Sequence, residues 1–190
     1  MRAALVALLT VLNCSAAAES DRYEIDPAHL TVGFLVEHVG FAKVFGMFRE
    51  ASGGFHFDEE TGSLSDVRVV VKTASVFTSV DDRDRHLRSS DFLDVDAFPE
   101  MVFEAGSGQL DDGKGLIEGR LTLVGVERPL SLSVTWNKSG ESPLPGSPYV
   151  AGMSARGSFL RSEFGLTYGV ADGLVGDEVE LIIELEAHRR

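Results

Sequence analysis

The sequence predicts an all-β protein of about eight antiparallel strands with one short helix near residues 80–89. Three observations carry this. Apolar and polar residues alternate with a period of two in segment after segment, which is the pattern of sheets with one dry and one wet face. Twenty glycines and six prolines punctuate those segments at turn positions. Only one stretch, Ser79 to Ser89, has the charge order of a helix.

In chain order, the first segment reads as an address. Arg2 is the only charge before Glu19, and the apolar run Ala3 to Leu12 is interrupted only by Thr10. That run is too short for a bilayer span, which needs about 20 residues, but it suits the core of a secretory signal. Ala16-Ala17-Ala18 supplies the small residues of a cleavage site. Residues 1–18 are therefore expected to be a signal peptide and 19–190 one domain, periplasmic or secreted. Cys14 raises the alternative of a lipoprotein, but Asn13 before it makes a poor lipobox. Ordinary cleavage discards the only cysteine, and with it any thiol chemistry.

The strands follow. Val32, Phe34, Val36 and His38 share one face, with Thr31, Gly33, Leu35 and Glu37 opposite. Segments 44–57, 64–74, 101–110, 114–124 and 149–160 are further strands, and Gly53-Gly54 inside the first of them marks a bend or bulge. Ser79 is the candidate N-cap of the helix. Asp81, Asp82 and Asp84 come first and Arg85, His86 and Arg88 last, complementing the helix dipole. Asp81–Arg85 and Asp84–Arg88 stand at the favoured spacing of four. This surface helix crosses between parts of the sheet or closes one end. Asp111 to Gly115 closes one hairpin and Gly125 to Pro129 the next. Leu130, Leu132, Val134 and Trp136 alternate with Ser131, Ser133, Thr135 and Asn137. Residues 138–148, rich in proline and glycine, are expected to be an irregular loop. Val179, Leu181, Ile183 and Leu185 form the last dry face. About eight such faces must be buried together, in a two-sheet sandwich or a closed barrel. Patterning alone does not choose.

Removing Arg2 with the leader leaves 16 basic against 30 acidic side chains, a net charge of −14. Such a surface repels phosphate backbones and anionic bilayers, which argues against nucleic acid and against peripheral membrane anchoring. No later apolar run approaches transmembrane length, so no stable membrane insertion is expected.

Chemistry-bearing patterns are weak. His29, His38, His56, His86 and His188 show no metal-ligand spacing, although His29 and His38 could converge in space. The acidic stretch from Asp81 to Asp96 is interleaved with Arg83, Arg85 and Arg88 and holds no glycine, unlike a calcium loop. Gly152-Met153-Ser154-Ala155-Arg156 is an incomplete nucleophile elbow, and Gly106-Ser107-Gly108 lacks the third glycine of a dinucleotide loop. Neither catalytic residues, nor a metal, nor a cofactor is predicted. Aromatic density is what stands out: Phe34, Phe41, Phe45 and Phe48 crowd one segment, with Val39, Val44 and Met47 between them.

Several blocks together resemble the YceI-like, or polyisoprenoid-binding, family. They are Tyr23-Glu24-Ile25-Asp26-Pro27, His29, Val32 to Phe41, Ala74 to Thr78, Arg83 to Ser89, Asp91 to Asp94, Phe98-Pro99, Gly119 to Val126 and Arg161 to Leu166. The blocks keep the family's order and span the mature chain. Leu30 stands where the family usually has serine, and Glu163 where it usually has aspartate. The resemblance implies an eight-stranded lipocalin-like barrel, a helix at 80–89 and an elongated apolar pocket. It further implies a long-chain isoprenoid, quinone-type or fatty-acid-like ligand, and no catalytic constellation. An eight-stranded barrel is just wide enough to hold one small ligand. Phe34, Val36, His38, Phe41, Phe45, Leu132, Val134, Leu181 and Ile183 are the expected ligand contacts. The leading expectation is a soluble carrier or sequestering protein. The alternatives are an accessory presenting a quinone to a cytochrome-type membrane partner, a lipid hydrolase, and a stress-protective scavenger of apolar toxins. A homodimer is compatible with each.

Overall fold

Eight segments with one dry face each bury those faces by closing into a barrel. The computed structural model describes residues 20–143, 146 and 148–190. The expected signal peptide, with its expected cut after Ala18, and Cys14 lie outside the described residues. The strands are β1 (Asp21–His38), β2 (Ala42–Phe48), β3 (Ala51–Asp58), β4 (Ser63–Lys72), β5 (Val76–Phe77), β6 (Glu100–Gln109), β7 (Lys114–Leu123), β8 (Val126–Glu141), β9 (Tyr149–Leu160) and β10 (Val175–Arg189). The break between β2 and β3 is two residues long, and a 3₁₀ turn at Thr73–Ser75 separates β4 from β5, so the ten segments make eight staves. Each stave pairs antiparallel with the next. β10 then pairs with β1, from Tyr23↔Arg189 to His38↔Val175, which closes the barrel.

Turn chemistry fixes the registers. Asp112 and Gly113 have φ of 50° and 74°, the paired positive values of a two-residue hairpin turn, between Asp111 and Lys114. The next turn is tighter than the sequence predicts. Val124 (φ 45°) and Gly125 (φ 74°) alone reverse the chain, and Pro129 already lies in β8 opposite Arg120. β8 runs on to Glu141 past a bulge after Trp136, so the irregular loop expected from 138 begins only at Ser142. β1 starts ten residues before its clean alternation, because a register break between Ile25 and Leu30 interrupts the pattern. The irregularity beside Gly53-Gly54 is a bulge on β4, where Asp66 has φ of 50°.

Helix α1 (Asp81–Arg88) has the expected acidic first turn and basic last turn, but different contacts. Ser79 is not the cap. Its φ of 66° turns the chain, Val80 takes the cap position, and no side chain there bonds the helix. Neither expected ion pair forms. Asp84 is 3% exposed and accepts hydrogen bonds from Thr78 N (2.8 Å) and Thr78 Oγ1 (2.5 Å). Arg88 donates to the carbonyls of Ala74 and Val76 at 2.8 and 2.9 Å. Arg85 pairs instead with Asp82 at 2.9 Å. Burial of one carboxylate, satisfied by a backbone N–H and a hydroxyl, outweighs exposed pairs worth a few tenths of a kcal/mol.

The interior divides along the barrel axis. The end bearing the β3–β4, β6–β7 and β8–β9 connections is filled. Tyr23, Phe57, Ile117, Leu132, Val134 and Met153 are buried there. Tyr23 stacks on Phe55 with centroids 5.5 Å apart, and Phe57 meets Trp136 edge-on at 5.1 Å. Glu59 accepts the hydroxyls of Tyr23 (2.6 Å) and Tyr149 (3.0 Å). Burial, with the Glu59 carboxylate beside them, pushes both phenols above their ordinary pKa. Outside, cross-strand pairs such as Arg68–Glu104 (3.0 Å) and Arg120–Glu127 (3.0 Å) are half-exposed. Pairs of that kind contribute about 0–1 kcal/mol each, so burial and not surface charge holds the barrel.

Candidate functional site

The opposite end of the barrel is hollow. A cavity of about 550 Å³ lies under α1, with walls from nearly every stave. β1 contributes Phe34, Val36 and His38, and β2 contributes Val44 and Phe48. β5, β6, β7 and β9 supply Val76, Met101, Leu123 and Phe159, and β10 supplies Val175, Val179 and Leu181. These are the inward positions of each period-two strand. Gly46 is what lets the β1–β2 wall lie flat. It pairs with Phe34, and a Cβ there would sit 2.3 Å from the Phe34 ring, which instead packs over the bare glycine and against Phe48 at 5.7 Å.

The outer end of the cavity carries charged and polar groups among apolar ones. Arg83, His86 and Leu87 face it from α1, Phe92 and Leu93 from the turn after the helix, and Leu166, Tyr168 and Leu174 from the β9–β10 connection. His86, Phe92 and Tyr168 form a mutual aromatic cluster with centroids 4.9–5.1 Å apart. His86 Nε2 is held 3.0 Å from Asp91 Oδ2. Arg161, in the 3₁₀ turn Arg161–Phe164, is 3% exposed. Its guanidinium donates to four carbonyls, those of Gly176, Leu166, Tyr168 and Val175, at 2.7–2.9 Å. It thereby ties the β9–β10 connection to the barrel top. Burial pulls its pKa below the ordinary arginine value, and Asp177 nearby pulls it back up.

Of the residues singled out in the sequence, Phe34, Val36, His38 and Leu181 line this cavity. Leu132 and Val134 are inward but belong to the packed end, at 7% and 8% exposure, and Ile183 packs against that same core. Phe41, 92% exposed, stands at the tip of the β1–β2 turn. Phe45 is half-exposed on the outer face, opposite Leu35 and against Gly33, so neither phenylalanine lines the cavity. His29 and His38 do not converge. His29 sits outside, with Nδ1 2.6 Å from Asp26 Oδ2, and its pKa is raised by that contact. Among the described residues no group of three His, Cys, Asp or Glu is placed to hold a metal ion. Arg83, His86, Arg161 and Tyr168 were not legible as site residues. Their positions depend on how α1 and the β9–β10 connection fold over the barrel end.

The YceI-like domain family matches residues 23–187. Protein YceI of Salmonella arizonae is 36% identical over 184 residues, covering 96% of this chain and 93% of that protein. The YCEI protein of Campylobacter jejuni superposes with a TM-score of 0.72 at 29% identity, over 81% of this chain and 90% of the other. A polyisoprenoid binding domain from Saccharophagus degradans has the same fold, with a TM-score of 0.62 at 13% identity, over 90% of this chain and all of that one. A closed barrel with a helix over its hollow end, matched by that domain family along nearly its whole described length, places the chain in the YceI-like family.

Proposed function

We propose that the protein is an exported, non-catalytic binding protein that holds one long-chain amphiphile in the hollow half of its barrel, for carriage or sequestration. The observation that carries this reading is the apolar cavity of about 550 Å³, closed beneath by a packed core and bordered above by polar groups. Ligand sites of this kind commonly occupy roughly 300–1,000 Å³ and bury an apolar body against a few convergent polar groups. An isoprenoid, a quinone-type lipid or a fatty-acid-like chain matches that division. The Saccharophagus degradans neighbour, described as a polyisoprenoid binding domain, supports an isoprenoid chain. A binding role fits the side chains better than catalysis does. The hydroxyls lining the cavity belong to Thr78 and Tyr168, and Thr78 gives its proton to the buried Asp84 carboxylate.

The test is extraction of natively purified protein with organic solvent and mass spectrometry of the extract. A long-chain amphiphile at near one-to-one stoichiometry is the expected result. Protein that carries no lipid and takes none up from solution would overturn the reading.

A further inference from the structure

The cavity's polar end holds two cations with no carboxylate in contact. Among the described residues neither Arg83 nor Arg161 comes within 4.0 Å of a carboxylate oxygen. Two acids close by are otherwise engaged. Asp84 accepts the backbone N–H and hydroxyl of Thr78, and Asp177 accepts the backbone N–H (2.8 Å) and hydroxyl (2.7 Å) of Ser162. Thr78 thus stands between Asp84 and the Arg83 guanidinium, and Asp177 reaches Arg161 through its field without contact. Arg83 Nε donates to Thr78 Oγ1 at 2.7 Å and its Nη2 to the Thr78 carbonyl at 2.8 Å. A guanidinium has five N–H donors, so Arg83 is anchored by part of its fork and keeps Nη1 uncommitted. The two acids that do line the cavity, Glu37 and Asp82, sit beside other cations. Asp82 accepts from Arg85 at 2.9 Å, and Glu37 lies in the field of Lys43.

A half-buried arginine, preorganised by two bonds and backed by a second, deeper arginine, is a built receptor for an oxyanion. Resting on the proposed function above, we propose that this end of the cavity is a head-group subsite. Arg83 binds the phosphate or carboxylate of an anionic amphiphile, Arg161 supplies field and fixes the surrounding loop, and the chain runs down the apolar interior. The class of ligand is thereby narrowed from any long-chain amphiphile to an acidic one, and neutral quinones and alcohols become the weaker ligands.

Calorimetric titration of the delipidated protein with a C18 alcohol, its carboxylic acid and its monophosphate separates head group from chain. Charge-assisted contacts are strong enough that the two anions should bind about tenfold tighter than the alcohol, or more. Higher salt should weaken the anions and leave the alcohol unchanged. Arg83→Gln should bring the two anions down to the affinity of the alcohol, and Arg83→Lys should keep part of the preference. A preference shared by both anions, or confined to one of them, identifies the head group. Equal binding of all three by wild-type protein would overturn the subsite. So would an Arg83→Gln protein that loses all three equally, which would make Arg83 structural. Failure of every ligand, the alcohol included, would instead overturn the binding function itself and the subsite with it.

Discussion

The division of the barrel into a packed and a hollow half makes two chemically identical substitutions behave differently. Val134 is 8% exposed in the packed half, paired with Ala155 and Gly115, and does not line the cavity under α1. Val179 also points inward, but its neighbours across the sheet are Val36 and Phe159, and it faces the cavity. Val134→Trp forces an indole into a close-packed core, at a cost of about 1–3 kcal/mol. At roughly 2–4 °C per kcal/mol for a protein of this size, the melting temperature should fall by about 2–12 °C. Val179→Trp adds the same bulk beside an open space of about 550 Å³. The indole turns into that space, so apo stability should change by less than about 2 °C. Lipid retention should reverse the order: Val179→Trp loses most of it, and whatever Val134→Trp protein stays folded keeps it. Thermal melts of delipidated protein, with quantitative lipid extraction of the same preparations, make the comparison. Equal destabilisation by both substitutions, or full lipid retention by Val179→Trp, would refute the division.

Three further outcomes follow from individual contacts. Gly46→Ala places a methyl where the Phe34 ring lies, 2.3 Å away, so Phe34 must swing into the cavity, and affinity for long chains should drop several-fold while the barrel still folds, as ligand titration would show. Asp84→Ala strips partners from the buried Thr78 N–H and hydroxyl, at a cost of about 1–3 kcal/mol by denaturant titration, whereas Asp82→Ala, exposed at the mouth of the cavity, should cost almost nothing in stability. Asp26 holds the His29 imidazole above its ordinary pKa, and His29 in turn holds the Asp26 carboxyl below the usual range. The histidine's stabilisation is therefore complete below its unfolded pKa and fades as pH rises through the folded value; the aspartate's is present above its own unfolded pKa and fades as pH falls through the folded one. The His29 ring resonances should titrate above pH 6.5 in wild type and fall back in Asp26→Asn, and an unchanged titration would contradict the contact.

Which residues face inward was written in the sequence, but how far along the axis each one lies was not. The alternation of Leu130, Leu132, Val134 and Trp136 places those side chains inside, yet the same signal marks Val36 and Val179. Only the closure of β10 onto β1 decides which inward residues meet a packed neighbour and which meet open space. Asp112-Gly113 was legible because its backbone conformation demands those residue types locally. The helix cap was not, since the buried partner of Asp84 is Thr78, outside the helix, and no spacing rule within the helix points there. Arg83 and Arg161 reach one cavity from sites 78 residues apart, so no local pattern joins them. Phe41 and Phe45 illustrate the converse: aromatic density drew attention to them, but period two puts Phe45 outside with Lys43, and the turn carries Phe41 into solvent.

Methyl-resolved NMR during titration with a long-chain isoprenoid tests the central claim most directly. Signals from Val36, Leu87, Leu166, Val179 and Leu181, around the cavity, should shift and saturate at one equivalent. Those of Leu64, Ile117, Leu132 and Val134, in the packed half, should move little. Shifts spread evenly over both halves, or confined to exposed methyls such as Leu116 and Leu160, would contradict a chain bound inside the hollow end of the barrel.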